Sequence, residues 1–238
     1  MTFWMGAKAP AVSDLEAAQP YSLTVLNENS SLQQFAMFQT IPNIVGPSTD
    51  PLSLAWMLGT AAPGSPSNPS QSRFDWQIEY SANTGYVQDI GTSTDPRRFT
   101  TASNIGVMVD SQNYLDVTYL GSFPNGAPAF PNDPTTGQKG EIQVQSDGKI
   151  PTHVETQSQN MTLNIGIGMN NKPTVVVELL PNLLYQFTPK PTYYIISGSF
   201  VEGQVIDTAT SSAAYKVVFD GVTTRTLKFT EENQFQPA

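Results

Sequence analysis

The chain has 238 residues, a formal net charge of −9 and no cysteine. Because phosphate-binding surfaces need clustered lysine and arginine, 11 basic residues against 20 acidic ones argue against nucleic acid and anionic membranes as partners. The absence of cysteine excludes disulfides, thiolate metal sites and cysteine nucleophiles. Charged residues make up only 13% of the chain, and Thr, Val, Tyr, Gly and Pro in their place are typical of strands and turns.

Residues 1–20 are predicted to form an N-terminal leader with one short helix, in which Ser13 caps the segment DLEAA and Pro20 ends it. The first residues lack the basic and continuous apolar regions of a signal peptide. No stretch approaches the ~18 consecutive apolar residues of a membrane span. We therefore expect a chain that is either cytoplasmic or exported without a classical signal peptide.

The first β-unit is predicted to cover residues 21–120. An alternating strand begins it, and residues 52–58 are nearly all apolar, as in a strand buried on both faces. Residues 73–80 alternate again between apolar and polar side chains. Residues 105–119 predict a hairpin with the turn DSQN.

Residues 121–160 are predicted to link this unit to a second one at 161–238. Within the link, residues 123–140 carry four prolines and three glycines, which predicts a long exposed loop. Residues 146–148 predict a hairpin turn. The second unit predicts six strands, at 163–167, 174–179, 184–187, 193–197, 215–219 and 224–229.

The two units align with each other: Leu23 falls on Leu163 and Gly64 on Gly203. An internal repeat of this length is usually architectural. The sequence therefore predicts an all-β fold, an antiparallel β-sandwich built from two pseudo-repeated halves. We expect about a dozen strands in two packed sheets.

Catalytic and metal-binding groups are sparse in this sequence. The one histidine, His153, has no G-x-S-x-G motif to support a serine triad, and no catalytic residue or cofactor is predicted. Asp75 and Glu79, four residues apart on a predicted strand, leave a glycosidase pair as an alternative. Asp133 and Glu141 form a candidate calcium loop, although Lys139 between them argues against it.

Exposed aromatic residues are the more promising candidates for ligand contact. Tyr86, Tyr114 and Tyr194 occupy positions where a ring can stack on a sugar. Asp110 and Asn113, in the turn before Tyr114, supply planar hydrogen-bonding groups beside it. These five residues form the predicted ligand-binding set.

The run PNLLYQFTPKPTYYIISGSFVEGQVID, with SLAWMLGTAAPG and FDWQIEY upstream, resembles a family of bacterial and fungal β-proteins similar to the rhizosphere-expressed, RhiA-like proteins. The resemblance covers most of residues 21–233 and carries no catalytic residue with it. It implies a soluble microbial β-protein that acts in contact with a host or a neighbour. The loop at 123–140 has no counterpart in that pattern.

The sequence as a whole predicts a non-enzymatic binding or interaction protein. Glycan recognition, a protein partner and self-assembly into a homo-oligomer remain alternatives, since few charges protect the strand edges. Two other classes stay open: a carbohydrate hydrolase that uses a carboxylate pair, and a pore-forming toxin whose hairpin comes from residues 101–121.

Overall fold

The computed structural model describes residues 20–46, 50–88, 91 and 95–238, so the predicted leader helix lies outside the described residues. Within them the all-β prediction is confirmed, with nineteen strands and two short helices. In chain order the strands are β1 (Pro20–Asn27), β2 (Gln33–Gln39), β3 (Asn43–Val45), β4 (Leu52–Leu54), β5 (Met57–Ala61), β6 (Ser70–Gln77), β7 (Tyr80–Gln88), β8 (Phe99–Gly106), β9 (Tyr114–Leu120), β10 (Ala127–Ala129), β11 (Ile142–Ser146), β12 (Met161–Met169), β13 (Lys172–Glu178), β14 (Leu184–Thr188), β15 (Tyr193–Ser197), β16 (Val205–Ile206), β17 (Tyr215–Val217), β18 (Thr224–Phe229) and β19 (Phe235–Pro237). The helices are α1 (His153–Gln157) and α2 (Thr208–Ser212). Neither described helix has the length or apolar character needed to cross a membrane.

The described strands form four sheets. The sequence predicted about a dozen strands in two sheets. The strand orders are β16-β4-β13-β12-β7-β8, β10-β9-β11-β14-β3, β19-β18-β1-β6 and β17-β15-β2-β5. Most pairings are antiparallel, as predicted, but β1 pairs with β18 and β9 with β11 in parallel. The larger number of strands reflects short strands at points where the chain leaves one sheet for another.

Each of the two main hydrophobic cores is shared by two sheets. The larger core lies between the six-stranded and five-stranded sheets, with Ile165 on β12 and Val117 on β9 among its fully buried members. The smaller core lies between the two four-stranded sheets and contains Trp56, Trp76 and Tyr193. One face of the five-stranded sheet is thus buried against a neighbouring sheet.

The prediction of a single strand at 52–58 is wrong. The run contains the whole of β4, a crossing and the start of β5. The chain passes from the six-stranded sheet to a four-stranded one at Ala55 and Trp56. The Trp56 N–H donates to the carbonyl of Met37 at 2.8 Å, and its indole Nε1–H donates to the carbonyl of Met169 at 3.1 Å. The run is apolar because Trp56 and Met57 pack in the smaller core, while Leu54 and Ala55 pack in two further hydrophobic clusters.

The predicted hairpin at 105–119 is absent, because its two strands enter different sheets. β8 pairs with β7, whereas β9 pairs with β10 and β11. A single bridge between Met108 and Gln112 closes the turn between them. The predicted strand at 73–80 likewise ends at Gln77, and β7 begins at Tyr80.

Two of the predicted irregular segments are more structured than expected. Residues 123–140 contain β10, and Thr135 bridges to Tyr114, so this segment is tied to β9 along its length. Residues 146–148 do not turn back into a hairpin, because helix α1 follows. A capping box between Thr152 and Glu155 begins that helix, and the T-x-x-E pattern is its sequence signal.

The strand pairings do not confirm the internal repeat. β1 and β2, in the first unit, lie in different sheets. The corresponding β12 and β13 form an antiparallel hairpin, with an irregularity between Ile167 and Gly168. Glycine permits a close backbone approach in this hairpin, because a Cβ on Gly166 would overlap the carbonyl oxygen of Val175.

Candidate functional site

The outer face of the five-stranded sheet carries a set of polar and aromatic side chains. Leu115, Val117 and Tyr119 of β9 point into the larger core, so the alternate residues point away from it. Among these, Asp116 and Leu120 are exposed and Tyr114 is half-buried. At the far edge of the sheet, Val45 is 56% exposed. We call this surface the open face.

Two rows of side chains cross the open face. In the first row Tyr114 lies beside Gln143, which lies beside Gln186. Their strands are neighbours, so the side chains are separated by about one strand spacing, ~4.8 Å.

The second row runs parallel to the first, one pleat along the strands. It places Asp116 beside Gln145 and Gln145 beside Leu184. A ring, three amides and one carboxylate therefore share the surface covered by the two rows.

The open face is nearly free of charge. Its five strands read APA, YLDVTYL, IQVQS, LYQFT and NIV, and Asp116 is the single charged residue in them. The described strands of this sheet therefore offer no cation to a phosphate or a carboxylate. Neutral polar ligands fit this surface best, since they need hydrogen bonds without a counter-charge.

Several amide groups of the open face are held in place, which fixes where their remaining groups point. Gln143 Oε1 accepts from the main-chain N–H of Gln138 at 3.0 Å. Gln186 Nε2 donates to Glu141 Oε2 at 3.1 Å. Gln143 is only 9% exposed, and among the described residues nothing accepts from its NH2, so a ligand would reach this donor at the margin of the loop that carries Gln138.

Asp116 is the second polar group of the open face that is available to a ligand. Its side chain is exposed, and its carboxylate has no hydrogen-bond or ion-pair partner among the described residues. A fixed amide donor and a carboxylate acceptor therefore lie on adjacent rows of the same surface.

Asn113 anchors the loop that borders Tyr114. Its side chain is fully buried, and its Nδ2 donates to the carbonyls of Val109, Gln138 and Glu141 at 3.0, 2.6 and 2.7 Å. Its Oδ1 accepts from the N–H of Gly137 at 2.8 Å. One amide thus joins the turn before β9 to the loop after β10, and its role is to build the rim of the open face.

The structure brings most of the predicted residues of this region together. Asp110 and Asn113 lie in the turn before β9, and Glu141 lies in the loop that Asn113 holds. Asp110 pairs with Lys139 of that loop at 3.8 Å. Asp133 is an exposed residue of the same loop, two positions before the bridge between Thr135 and Tyr114.

Tyr86 and Tyr194 lie elsewhere. Tyr86 is on β7 of the six-stranded sheet and packs against the larger core. Tyr194 is on β15 and stacks on Phe38, with ring centroids 5.5 Å apart. The three predicted tyrosines therefore belong to three different sheets and do not share one site.

The carboxylate pair considered for hydrolysis does not share a strand. Asp75 is on β6 and is held by Arg73 at 2.9 Å, whereas Glu79 lies between β6 and β7. His153 begins helix α1, and its Nδ1 lies 2.5 Å from Glu178 Oε1. Among the described residues no cluster of three or more acidic or histidine side chains is arranged to hold a metal ion.

Sequence reasoning missed the glutamines Gln143, Gln145 and Gln186. Their signal was the alternation of Gln143 and Gln145 with the buried Ile142 and Val144 in β11, which predicts a strand with one polar face. The alternation could not predict that β9 and β14 flank this strand. Asp116 was not among the predicted ligand-binding residues and lies within β9.

Comparison with known proteins gives one consistent result. Residues 18–237 match the RhiA family. Protein RhiA of Rhizobium leguminosarum bv. viciae is 27% identical over 219 residues, which are 91% of this chain and 85% of that protein. No solved structure matches the chain significantly.

Proposed function

This chain belongs to the RhiA family, and we propose that it is a non-enzymatic binding protein that holds a neutral glycan on the open face. The observation that supports the proposal most directly is the row formed by Tyr114, Gln143 and Gln186 on the outer side of the five-stranded sheet, where Tyr114 and Gln186 are partly exposed. A sugar ring presents an apolar face that stacks on tyrosine and hydroxyls that pair with planar amides.

The charge of the surface supports a neutral rather than an anionic sugar. The five strands contain one acid and no base. Because burying an unpaired anion costs several kcal/mol or more, uronic acids and sulfated glycans are poor ligands for this surface. Asp116 is then an acceptor for sugar hydroxyls.

The architecture that we propose for the described chain is a pair of β-sandwiches within one unit. Each of the two main cores lies between two sheets, an arrangement typical of face-to-face sheet packing. In such a layer the sheet faces water on its second side, which leaves the open face available to a ligand of extended shape.

Replacing Tyr114 with alanine is expected to weaken glycan binding about tenfold, because the ring supplies most of the apolar contact and about 1.4 kcal/mol corresponds to a factor of ten. Tyr114→Phe keeps the ring and is expected to bind nearly as well as the unchanged protein. Tyr194→Ala makes the same substitution on another sheet and serves as the matched control. Binding is measured by isothermal titration with a neutral oligosaccharide identified on a glycan array.

The array is the first step, with labelled protein in the presence and absence of calcium. Reproducible binding to a related set of neutral sugars supports the proposal. A blank array, or binding that Tyr194→Ala weakens and Tyr114→Ala does not, would overturn the assignment of the open face.

A further inference from the structure

A groove of about 430 Å³ lies between β17 and β18, on the two four-stranded sheets. These sheets enclose the smaller core, whereas the open face belongs to the five-stranded sheet. The main chain of residues 215–218 forms one wall of the groove and that of residues 224–227 forms the other. The groove is therefore a site separate from the open face.

Both walls of the groove present strand edges without a partner along part of their length. β17 is the edge strand of its sheet and pairs only with β15. On β18, β19 covers residues 227–229, and the N–H of Ala238 reaches the carbonyl of Thr226 at 3.2 Å. Thr224 and Arg225 lie beyond this pairing. Pro237 and Ala238 complete the lining of the groove.

Two cations line this groove in a protein that carries few of them. Arg225 donates from Nε to the carbonyl of Val218 at 2.7 Å, which fixes the guanidinium across the groove. Lys216 is exposed on β17. Neither side chain forms an ion pair with a described residue. Since a guanidinium has five N–H donors, most of those on Arg225 remain for another partner.

We propose that this groove binds an extended acidic peptide by strand addition. The peptide main chain pairs with the edge of β17, and its carboxylates contact Lys216 and Arg225. Main-chain pairing with an exposed edge supplies affinity in this mode, and side-chain contacts supply selectivity. Val218, 52% exposed at the rim, offers an apolar contact to the side chains between the carboxylates.

The test uses the full chain and three fluorescent decapeptides of alternating residues: Thr-Glu, Thr-Gln and Thr-Lys. We expect the Thr-Glu peptide to bind, with fluorescence anisotropy that falls as salt is added, and the other two to bind at least about fivefold more weakly. Lys216→Glu is expected to weaken Thr-Glu binding by about three- to fivefold or more, as does Arg225→Gln. Lys149→Glu, which changes an exposed lysine outside the groove by the same charge, is the matched control.

A fourth peptide separates strand addition from charge attraction alone. It has the Thr-Glu sequence with every threonine N-methylated, so that alternate main-chain donors are lost. We expect it not to bind, and we expect the amides of residues 215–218 to gain protection from hydrogen exchange only with the unmodified peptide.

Three results would overturn the proposal. The first is that Lys216→Glu and Lys149→Glu weaken binding of the Thr-Glu peptide equally. The second is that the N-methylated peptide binds as tightly as the unmodified Thr-Glu peptide. The third is that the Thr-Glu peptide does not bind a protein whose circular dichroism is native. None of them bears on glycan binding, which the open face carries on another sheet.

Discussion

Replacing Asn113 with alanine is expected to lower the free energy of unfolding by about 3–5 kcal/mol, because each buried polar group left without a partner costs about 1–3 kcal/mol. The substitution removes hydrogen bonds to the carbonyls of Val109, Gln138 and Glu141 and from the N–H of Gly137. These groups lie in a part-buried region that water enters only if the loop moves. Urea unfolding monitored by tryptophan fluorescence measures the change.

The same substitution is expected to release the loop that borders Tyr114. Residues 135–141 should then exchange their amide hydrogens faster than in the unchanged protein, while β12 and β13 keep their protection. Asn125→Ala, at an exposed asparagine in the turn after β9, is the control and should change stability by less than about 0.5 kcal/mol. A loss of less than about 1 kcal/mol for Asn113→Ala would show that Asn113 does not hold the loop.

Raising the pH from 10 to 12 is expected to destabilise the protein by about 4 kcal/mol, through two buried tyrosines. Burial raises the pKa of Tyr185 and of Tyr193 to about 12, from 10.0. Because the folded state binds these protons more tightly, their contribution to stability is complete below pH 10. It is lost as the pH rises through the folded pKa. Over the whole titration this difference in pKa corresponds to about 3 kcal/mol for each tyrosine, of which about 2 kcal/mol is lost between pH 10 and pH 12.

Urea unfolding at pH 9, 10, 11 and 12 tests this expectation. Tyr193→Phe removes one titrating group, whose hydroxyl donates to the sulfur of Met169 at 3.6 Å and lies close to Trp76. The variant should therefore lose about half of the pH dependence at a small cost in stability at pH 9. Tyr185→Phe should also reduce the dependence but cost more at pH 9, because the Leu180 N–H that donates to its hydroxyl at 2.7 Å loses its acceptor. A midpoint that does not change between pH 9 and pH 12 would contradict the assignment.

The local alternation of residues was enough to locate most strands of the second unit. Residues 163–167, 174–179 and 224–229 were predicted as strands, and β12, β13 and β18 cover nearly all of them. Alternation reports which side of a strand is buried, and it does so without knowledge of the partner strand. For this reason the all-β class followed from the sequence, and the RhiA-like resemblance agreed with the family match.

The alternation of apolar and polar residues could not predict which strands pair with each other. The run at 52–58 and the hairpin at 105–119 were each assigned to one sheet, and in both the chain crosses between sheets. A residue enclosed by two cores and a residue in a doubly covered strand have the same apolar side chain. Only the tertiary structure distinguishes them.

The candidate site, too, could be predicted from the sequence only in part. Tyr114, Asp110 and Asn113 are close in sequence, so local reasoning could group them. Local reasoning could not show that Asn113 is a buried anchor, or that Gln143 and Gln186 extend the row from Tyr114. Both depend on the pairing of β9 with β11 and of β11 with β14. The sequence by itself determined the all-β class, most strands of the second unit and the absence of cysteine. The tertiary structure decided which strands are neighbours, because contacts between distant segments depend on shape and packing that no local pattern encodes.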